Sequence, residues 1–252
     1  MQSVINNSEK HTKARHGRVP SLAIIVPVLN EIDRLPLLLK ELALIEAEQI
    51  VIVDGGSSDG SVQWLEKYFL SDSISINGIF IQSSSGRAKQ MNAGAEKARQ
   101  DILLFLHADT TLPHNAKLEV ENGVSEKYSW GRFNVEFDES CVAMGTIAFF
   151  INLRSKLSQI ATGDQAMFIK RDLFEKVGGF DDIALMEDVA MSKKLYKFGN
   201  APYASKLKVT TSARRWKQNG VLRTVVKMWW YRLAYFLGVS PDSLAQGYRN
   251  VR

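Results

Sequence analysis

Four short apolar segments recur along the first half of the chain and constrain its fold more than any other feature. They cover residues 22–28, 50–53, 79–81 and 102–106, and a segment with helical spacing of apolar residues follows each of the first three. Residues 102–106 contain only Ile, Leu and Phe, a composition typical of a strand buried on both faces of a parallel sheet. This alternation predicts an open α/β sheet built from Rossmann-like βα units with right-handed crossovers.

The second half of the chain departs from this alternation. Residues 130–137 alternate between apolar and polar side chains, as expected for a half-exposed strand, and residues 165–169 predict another strand. Residues 141–160, 187–198 and 221–236 have the apolar content and spacing of helices. We therefore predict the α/β class, with a sheet that is mostly parallel first and mixed later, followed by a C-terminal amphipathic helix.

Polarity divides the 252 residues into three parts. Residues 1–20 are polar, basic and without periodicity, which predicts disorder. Residues 21–216 carry the predicted strands, the repeating units in 21–110 and the mixed units in 111–216. Because 45% of the chain is hydrophobic and no low-complexity linker interrupts it, we expect one domain here. Residues 217–252 are predicted to form a basic, aromatic helical extension.

Positive charge is concentrated at the C-terminal end. Residues 206–252 contain ten Lys or Arg and one acidic residue, giving +9 in a chain whose net charge is +5. Such a segment favours phosphates, anionic lipid or nucleic acid as a partner, or is merely a solvated basic surface. Within it, Trp229, Trp230 and Tyr231 lie among basic residues, a pattern that fits a helix on an anionic membrane, a lid over the sheet or a dimer face.

The number of cysteines and the length of the apolar segments indicate the cellular compartment of the protein. The single cysteine, Cys141, excludes an intramolecular disulfide and favours a reducing environment. The amino terminus has no apolar core of signal-peptide length. The longest apolar stretch, residues 142–151, is about half of what a spanning helix requires. These features predict a cytoplasmic protein that is soluble or peripheral at the inner face of the membrane.

Polar residues follow the second and third apolar segments. Asp54 begins a turn rich in Gly and Ser, where its carboxylate can accept hydrogen bonds from a base or ribose. The alternative is an ordinary strand-to-helix turn with Asp59 as N-cap. Arg87 begins the next helix, where it can hold a phosphate or a nucleoside, or can simply be an exposed basic residue.

Acidic residues at two further places could serve as a metal ligand and as a general base. Asp109 follows the fourth strand, and one carboxylate together with phosphate oxygens suits Mg²⁺ or Mn²⁺. His107 is a poor ligand for Mg²⁺ and fits a substrate contact better. Glu187 and Asp188 begin a helix, where a carboxylate can take a proton from a hydroxyl. Acidic residues are also favoured at that position by the helix dipole alone.

Four motifs taken together resemble the inverting glycosyltransferases of family 2, which have the GT-A fold. They are residues 25–31, 53–61, 105–110 and 186–188, and their order on successive strand ends makes the set specific. The resemblance covers about residues 21–216 and is nearest to a short, soluble bacterial subgroup. It implies a GT-A domain whose first half binds the nucleotide and whose second half binds the acceptor.

The resemblance also implies roles for individual residues. The nucleotide pocket would be formed by Pro27, Asn30, Glu31, Asp54, Arg87 and His107. Asp109 would hold Mg²⁺ or Mn²⁺, while Asp188 would be the catalytic base with Glu187 as its neighbour. The donor or acceptor sugar would lie against Gly163, Asp164, Gln165, Arg215 and Trp216.

Two positions depart from the family pattern. His107 stands at the first Asp of the D-x-D metal motif, and Ser212 stands where the Gln of a Gln-x-x-Arg-Trp motif is found. The implied reaction is transfer of a sugar, with inversion, from a nucleotide-diphosphate donor to an acceptor hydroxyl. A UDP-sugar is the first expectation for the donor.

The implied acceptor is a sugar, a lipid-linked molecule or a small molecule, and nucleic acid is not an expected partner. Peripheral membrane contact and a homodimer are both compatible with the aromatic C-terminal helix. A nucleotidyltransferase that joins an NTP to a sugar phosphate is one alternative, although residues 30–34 are acidic rather than Gly-rich. A non-catalytic nucleotide-sugar binding protein is the other.

Overall fold

The computed structural model describes residues 19–71, 76–125, 127–198 and 201–249. The strands are β1 (Leu22–Val28), β2 (Gln49–Asp54), β3 (Gly78–Gln82), β4 (Ile102–Phe105), β5 (Thr110–Thr111), β6 (Trp130–Phe137), β7 (Met167–Lys170) and β8 (Tyr203–Thr211). The helices are α1 (Leu35–Ala43), α2 (Ser61–Phe69), α3 (Arg87–Lys97), α4 (Ala116–Gly123), α5 (Val142–Ser158), α6 (Arg171–Lys176), α7 (Glu187–Lys197), α8 (Arg214–Asn219), α9 (Val221–Phe236) and α10 (Pro241–Arg249), with a 3₁₀ turn at Gly163–Gln165. The segment predicted to be disordered lies outside the described residues, apart from its last two positions.

The strands of the described part form one eight-stranded sheet in the order β3-β2-β1-β4-β7-β6-β8-β5. The first four strands pair in parallel, whereas β7 runs antiparallel to both of its neighbours, β4 and β6. β8 is parallel to β6 and antiparallel to β5. This topology confirms the predicted α/β class, with its parallel Rossmann-like half followed by a mixed half.

Apolar side chains cover both faces of the central strands. Every residue of β1 is buried, and because side chains alternate along a strand, its successive residues pack into two different layers. Ile24 and Val26 face the layer that contains the buried leucines of α1. Ile25 faces the opposite layer, formed with α3. Pro36 lies in the first turn of α1, where its missing N–H costs no helical hydrogen bond.

The second half contains elements that the hydrophobic pattern did not predict, namely β5, β8, α4 and α8, whereas α10 falls within the predicted helical extension. In β8 only alternate positions are buried, and several of its exposed positions are polar, so the apolar signal is weak. The strand predicted at residues 165–169 begins later, at Met167, because Gly163–Gln165 forms the 3₁₀ turn. The structure thus adds a second, more polar set of strands to the predicted sheet.

The C-terminal helices pack on the second half of the domain. The helix predicted at residues 221–236 is confirmed with the same bounds as α9. Trp216 of α8 lies edge-on to Phe137 at a ring-centroid distance of 5.7 Å, in an apolar cluster with Met144 of α5. Val225 and Met228 of α9 pack against the same cluster. Among the described residues, no helix is both long and apolar enough to cross a membrane.

The close approach of α3 to the sheet yields a stability test. A β-carbon at Gly94 would lie 2.4 Å from Cγ2 of Ile25, so Gly94→Ala should destabilise the fold by about 1–3 kcal/mol through overpacking. Gly145 lies in the exposed part of α5, and a β-carbon there would have no neighbouring atom within 4 Å, so Gly145→Ala should stabilise by about 0.5–1 kcal/mol. Urea unfolding of both variants measures the difference, and equal midpoints would contradict this packing.

Candidate active site

The turns after β1 and β2 are held together by a buried glutamine. The side-chain amide of Gln90 donates to the carbonyl oxygens of Val28 and Val53, both at 2.8 Å. Gly55 lies so close to this amide that a β-carbon there would approach it to 2.7 Å. Gln90 therefore fixes the spacing of the two strand ends. Nothing in the sequence pattern marks it, because its partners are backbone atoms distant in the chain.

Asp54 organises the turn that follows β2. One of its carboxylate oxygens accepts hydrogen bonds from the N–H groups of Gly56 and Ser57 at 2.7 and 2.9 Å, and the other accepts from the hydroxyl of Ser57. Asp54 has no exposed surface. Its carboxylate thus stabilises its own turn in this structure. Because it accepts three hydrogen bonds within the turn and has no exposed surface, it does not face solvent as a base- or ribose-binding carboxylate would.

Asn30 joins this turn to the turn after β1. Its backbone N–H donates to the hydroxyl of Ser57 and its side-chain oxygen accepts from the N–H of Ser58, both at 2.8 Å. Asn30 adopts a positive φ of 57°, which asparagine tolerates better than most residues. Asp59 accepts hydrogen bonds from both Ser61 and Ile32, so it bridges the two turns as well as serving the start of α2.

Two other predicted nucleotide contacts lie at the same edge. Pro27 is buried in β1 and pairs with Val53 in the parallel register. The backbone N–H of Glu31 donates to the hydroxyl of Ser61 at 3.2 Å. These positions border the cross-linked turns, and together they form a rigid, polar rim at the carboxyl ends of β1 and β2.

Glu187 and Asp188 begin α7, and they differ sharply in environment. Met186, before them, has the left-handed φ of 69°, which directs the chain abruptly into the helix. Glu187 is buried and lies 3.5 Å from the guanidinium of Arg87. Burial raises the pKa of Glu187, Asp188 raises it further, and the Arg87 charge opposes both. The pairing brings the start of α3 against the start of α7.

Asp188 is oriented by a backbone donor from another element. One carboxylate oxygen accepts a hydrogen bond from the N–H of Gly163 at 2.7 Å, and the other accepts from the N–H of Val189 at 2.7 Å. Gly163 belongs to the 3₁₀ turn, which Thr162 and Gln165 close with a capping box. Asp188 is partly exposed, so its carboxylate is held in place yet remains reachable.

A small pocket brings several predicted residues together. Its lining consists of Met91, Phe105, His107, Gly163, Met167, Phe180, Glu187 and Asp188. A β-carbon on Gly163 would lie 2.2 Å from Nε2 of His107, so glycine is needed for the imidazole to approach. The structure thus unites His107 with the pair at the start of α7. It gives His107 a packing role against the turn that holds Asp188.

Asp109 lies just beyond β4, outside the residues that line this pocket. Its backbone carbonyl accepts from Ser212 at 3.2 Å, and the hydroxyl of Thr110 lies 3.4 Å from its carboxylate. Within the described residues, no three His, Cys, Asp or Glu side chains cluster in a way that could hold a metal ion. A cation at Asp109 would therefore need phosphate oxygens and water for most of its ligands, as Mg²⁺ sites often do.

A cluster of buried charges behind the 3₁₀ turn was missed by the sequence reasoning. Arg132 of β6 is only 1% exposed, although the alternation of β6 predicted an exposed polar side chain. Its guanidinium donates to the carbonyl of Phe133 at 3.2 Å and to Asn134 at 2.9 Å. Burial lowers the pKa of Arg132 to about 10, and Asp164 opposes this shift.

Arg154 of α5 joins this cluster. It donates to the hydroxyl of Thr162 at 3.3 Å. Burial lowers the pKa of Arg154 to about 10; Arg232 of α9 lowers it further, whereas Asp164 and Asp188 raise it. The Nε atoms of Arg132 and Arg154 and one oxygen of Asp164 are buried without a hydrogen-bond partner. The predicted sugar-site residue Asp164 therefore lies between buried cations.

The C-terminal helices reach the start of α7. The ammonium group of Lys193 lies 4.7 Å from the ring centroid of Tyr235 and 4.3 Å from that of Phe236. Leu185 and Met186, next to the acidic pair, pack against a cluster that α9 and α10 share. The predicted Trp216 is buried in the separate cluster with Phe137, and the side chain of Arg215 lies outside the described part of the structure.

The sequence of the chain is similar to those of known glycosyltransferases. A model of glycosyl transferase family 2 matches residues 23–178. An undecaprenyl-phosphate 4-deoxy-4-formamido-L-arabinose transferase of Pseudomonas fluorescens is 32% identical over 97 residues, 36% of this chain and 28% of that protein. The probable glycosyltransferase YdaM of Bacillus subtilis is 24% identical over 233 residues, 84% of this chain and 53% of that protein. The chain thus spans about half or less of these relatives.

Solved structures share the fold. The mannosyltransferase PcManGT from Pyrobaculum calidifontis, in complex with GDP-Man and Mn²⁺, matches with a TM-score of 0.63 at 17% identity, over 93% of this chain and 70% of that chain. S. aureus TarS 1-349 in complex with UDP-GlcNAc gives 0.58 at 18% identity, over 76% and 58%. At these identities the likeness concerns the fold alone, and it confirms the GT-A-like architecture that the motifs implied.

The contact between Gly163 and His107 makes a prediction about Asp188. In Gly163→Ala the new methyl group collides with the imidazole, which should shift the N–H that orients the Asp188 carboxylate. A misplacement of about 1 Å can cost about 10²-fold in turnover. If Asp188 is the catalytic base that the resemblance implies, steady-state kinetics should show that loss mainly in kcat, while Gly145→Ala should keep the wild-type value. Wild-type kcat in a folded Gly163→Ala protein would show that this contact does not position Asp188.

Proposed function

The chain belongs to glycosyl transferase family 2, and on that basis we propose that it transfers a sugar, with inversion, from a nucleotide-diphosphate donor to an acceptor hydroxyl. The observation that carries the proposal is the carboxylate of Asp188, which is partly exposed and held at 2.7 Å by the N–H of Gly163. A general base needs both a fixed position and access to its substrate.

In the proposed step, Asp188 accepts the proton of the acceptor hydroxyl as the oxygen attacks the anomeric carbon. The new carbon–oxygen bond forms on the face opposite the nucleotide, and the bond from that carbon to the diphosphate breaks. The electron pair leaves with the diphosphate, so the configuration at the anomeric carbon inverts. The proton remains on Asp188 until solvent removes it.

Arg87 and Glu187 serve the same step in different ways. Arg87 lies at the start of α3, where its guanidinium and the free N–H groups of the helix can face the diphosphate. Glu187 lies 3.5 Å from Arg87 and is buried, so it restrains the guanidinium rather than contacting the acceptor. Negative charge growing on the leaving group would then meet a positioned cation.

A divalent cation fits the proposal through Asp109. The donor set in the chain is a single carboxylate, and such a site would take Mg²⁺ or Mn²⁺ only when the diphosphate supplies further oxygens. A bound cation would neutralise charge on the diphosphate. The fold relative PcManGT is described in complex with Mn²⁺, which supports testing this ion first.

The substrate class is inferred from the relatives. TarS is described with UDP-GlcNAc and PcManGT with GDP-Man, which supports a nucleoside diphosphate sugar as donor, with a UDP-sugar as the first choice. The Pseudomonas fluorescens relative is named for an undecaprenyl-phosphate substrate, which supports a lipid-linked acceptor. Asp188 is needed as a base where the attacking group of that acceptor is a hydroxyl, because a phosphate oxygen already carries negative charge. The family match disfavours the nucleotidyltransferase alternative, and that reaction would release pyrophosphate from an NTP.

Replacing the base tests the mechanism. Asp188→Asn keeps an oxygen that can accept from Gly163 but cannot take the acceptor proton, so transfer should fall about 10²–10⁴-fold while nucleotide binding is unchanged. Asp182→Asn, at a side chain that is 70% exposed in the same segment, should retain wild-type turnover. Radiolabelled sugar transfer and nucleotide titration measure the two effects. Full transfer by Asp188→Asn would remove the assignment of the base.

The metal at Asp109 is tested by binding rather than by turnover. UDP-, GDP-, dTDP- and CDP-sugars are titrated with and without Mn²⁺, and the donor should raise the melting temperature because ligand binding stabilises the folded state. For wild type, Mn²⁺ should strengthen donor binding by about tenfold or more, an effect of roughly 1.4 kcal/mol. In Asp109→Ala this dependence should disappear, and an unchanged Mn²⁺ dependence would place the cation elsewhere.

A further inference from the structure

We propose that α5 and α9 together form a docking surface for an anionic lipid bilayer. The surface consists of an exposed apolar stripe on each helix, which we call the apolar face. Its members on α5 are Phe149, Phe150, Leu153 and Leu157, and its members on α9 are Val226, Trp229, Trp230, Leu233, Phe236 and Leu237, which follows the last turn. Half of the large apolar side chains exposed on the described residues belong to this face.

The stripe on α5 lies opposite the side by which this helix packs on the domain. Met144, Ala148 and Ser155 are the buried positions of α5, and they recur at the spacing of one helical side. Phe149 and Leu157 lie on the other side, with 60% and 76% of their surface exposed. Packing on the domain accounts for only one apolar side of α5. The apolar residues on its exposed side therefore need another explanation.

α9 shows the same arrangement. Tyr231 and Ala234 are buried against the domain, whereas Trp229 and Trp230 are 71% and 65% exposed. The exposed positions recur every three or four residues, so they form one stripe along the helix. Paired tryptophans with apolar bodies and an N–H donor are suited to the boundary between lipid and water.

The two helices lie near each other on the domain, and each has its apolar stripe on the side away from the residues that it buries. Ile147 and Ile151 of α5 and Val225 and Met228 of α9 pack against a common cluster built around Met144 and Trp216. Side chains of both helices thus meet at the domain surface. This contact with α5 is not visible in the sequence, where the helices are separated by more than sixty residues.

The basic residues of α5 and α9 favour an anionic membrane as the partner of the apolar face. α5 and α9 contain Lys156, Arg223, Lys227 and Arg232, and neither helix contains Asp or Glu. Arg154 of α5 does not count toward this surface charge, because its guanidinium donates to Thr162 and interacts with Asp164. An anionic bilayer attracts such a surface. A symmetric dimer through the same face would bring these basic residues toward their own copies with no acidic residue on either helix to pair with them. The apolar face therefore fits an anionic membrane better than a second copy of the chain.

The apolar face lies near the candidate active site, so docking on a bilayer would bring Asp188 close to the membrane. α9 contacts α7 through Lys193 and Tyr235, and Arg232 of α9 lowers the pKa of the partly buried Arg154. The helix that would lie on the bilayer therefore adjoins Asp188. With the proposed sugar transfer, this suits an acceptor presented from the membrane, and that extension rests on the proposed function. The docking itself does not depend on catalysis.

Co-sedimentation with vesicles tests the docking on the full chain. Vesicles of phosphatidylglycerol and phosphatidylcholine in equal parts should bind the protein, and vesicles of phosphatidylcholine alone should bind it about tenfold less. Raising the salt concentration to about 0.5 M should weaken binding through screening. Two paired substitutions, Trp229→Ser with Trp230→Ser and Phe149→Ser with Phe150→Ser, should each lower binding by about tenfold or more.

A matched control removes exposed apolar side chains elsewhere. Leu44 and Leu70, which follow α1 and α2, are also more than half exposed, and their joint replacement by Ser should leave vesicle binding unchanged. Asp188→Asn should bind vesicles as wild type does, which separates docking from sugar transfer. Retained binding in both paired variants, or an equal loss in the control, would overturn the proposal.

Light scattering tests the alternative that the apolar face binds a second copy of the chain. If the wild type forms an oligomer that the tryptophan and phenylalanine pairs both abolish, and anionic vesicles are not bound, the apolar face is a self-association surface and the proposal is wrong. If the protein stays monomeric and sediments with anionic vesicles, the proposal stands.

Discussion

The hydrogen bond from the N–H of Gly163 to the carboxylate of Asp188 is the interaction on which the arrangement of the site depends. It joins the 3₁₀ turn to the start of α7 at 2.7 Å. The 3₁₀ turn itself depends on its capping box. It also depends on the absence of a side chain at Gly163, where His107 packs. A charge-assisted bond of this kind is stronger than a bond between neutral groups, and here it connects β4, the turn and α7.

Charges buried around that bond are costly unless other groups balance them. Arg87 approaches Glu187 to 3.5 Å, and Arg132 and Arg154 both interact electrostatically with Asp164. Taking an ion out of water costs several kcal/mol even after relaxation, so such a concentration of ions needs mutual compensation. Perturbed ionisable groups gather at functional sites more often than elsewhere. Their position beside Asp188 agrees with the proposed role of that residue.

The sequence predicted correctly those strands and helices whose apolar residues follow one another directly or recur at helical spacing. β1, β2 and β4 are continuous apolar segments, and α9 has the bounds that its spacing indicated. β8 was missed because two of its three buried positions, Ser205 and Thr211, are polar, so its sequence does not alternate between apolar and polar residues as that of β6 does. Arg132 was expected to be exposed, because the alternation of β6 does not reveal that the turn with Asp164 and Arg154 of α5 come close to its side chain.

The sequence by itself determined the α/β class, the order of the strand-end motifs and the identity of the acidic pair at the start of α7, because each depends on neighbours in the chain. Only the tertiary structure decided that Gln90 ties two strand ends, that Gly163 orients Asp188, and that α5 adjoins α9 to complete the apolar face. Those contacts join residues far apart in the chain, and their geometry exists only once the sheet and its helices have packed.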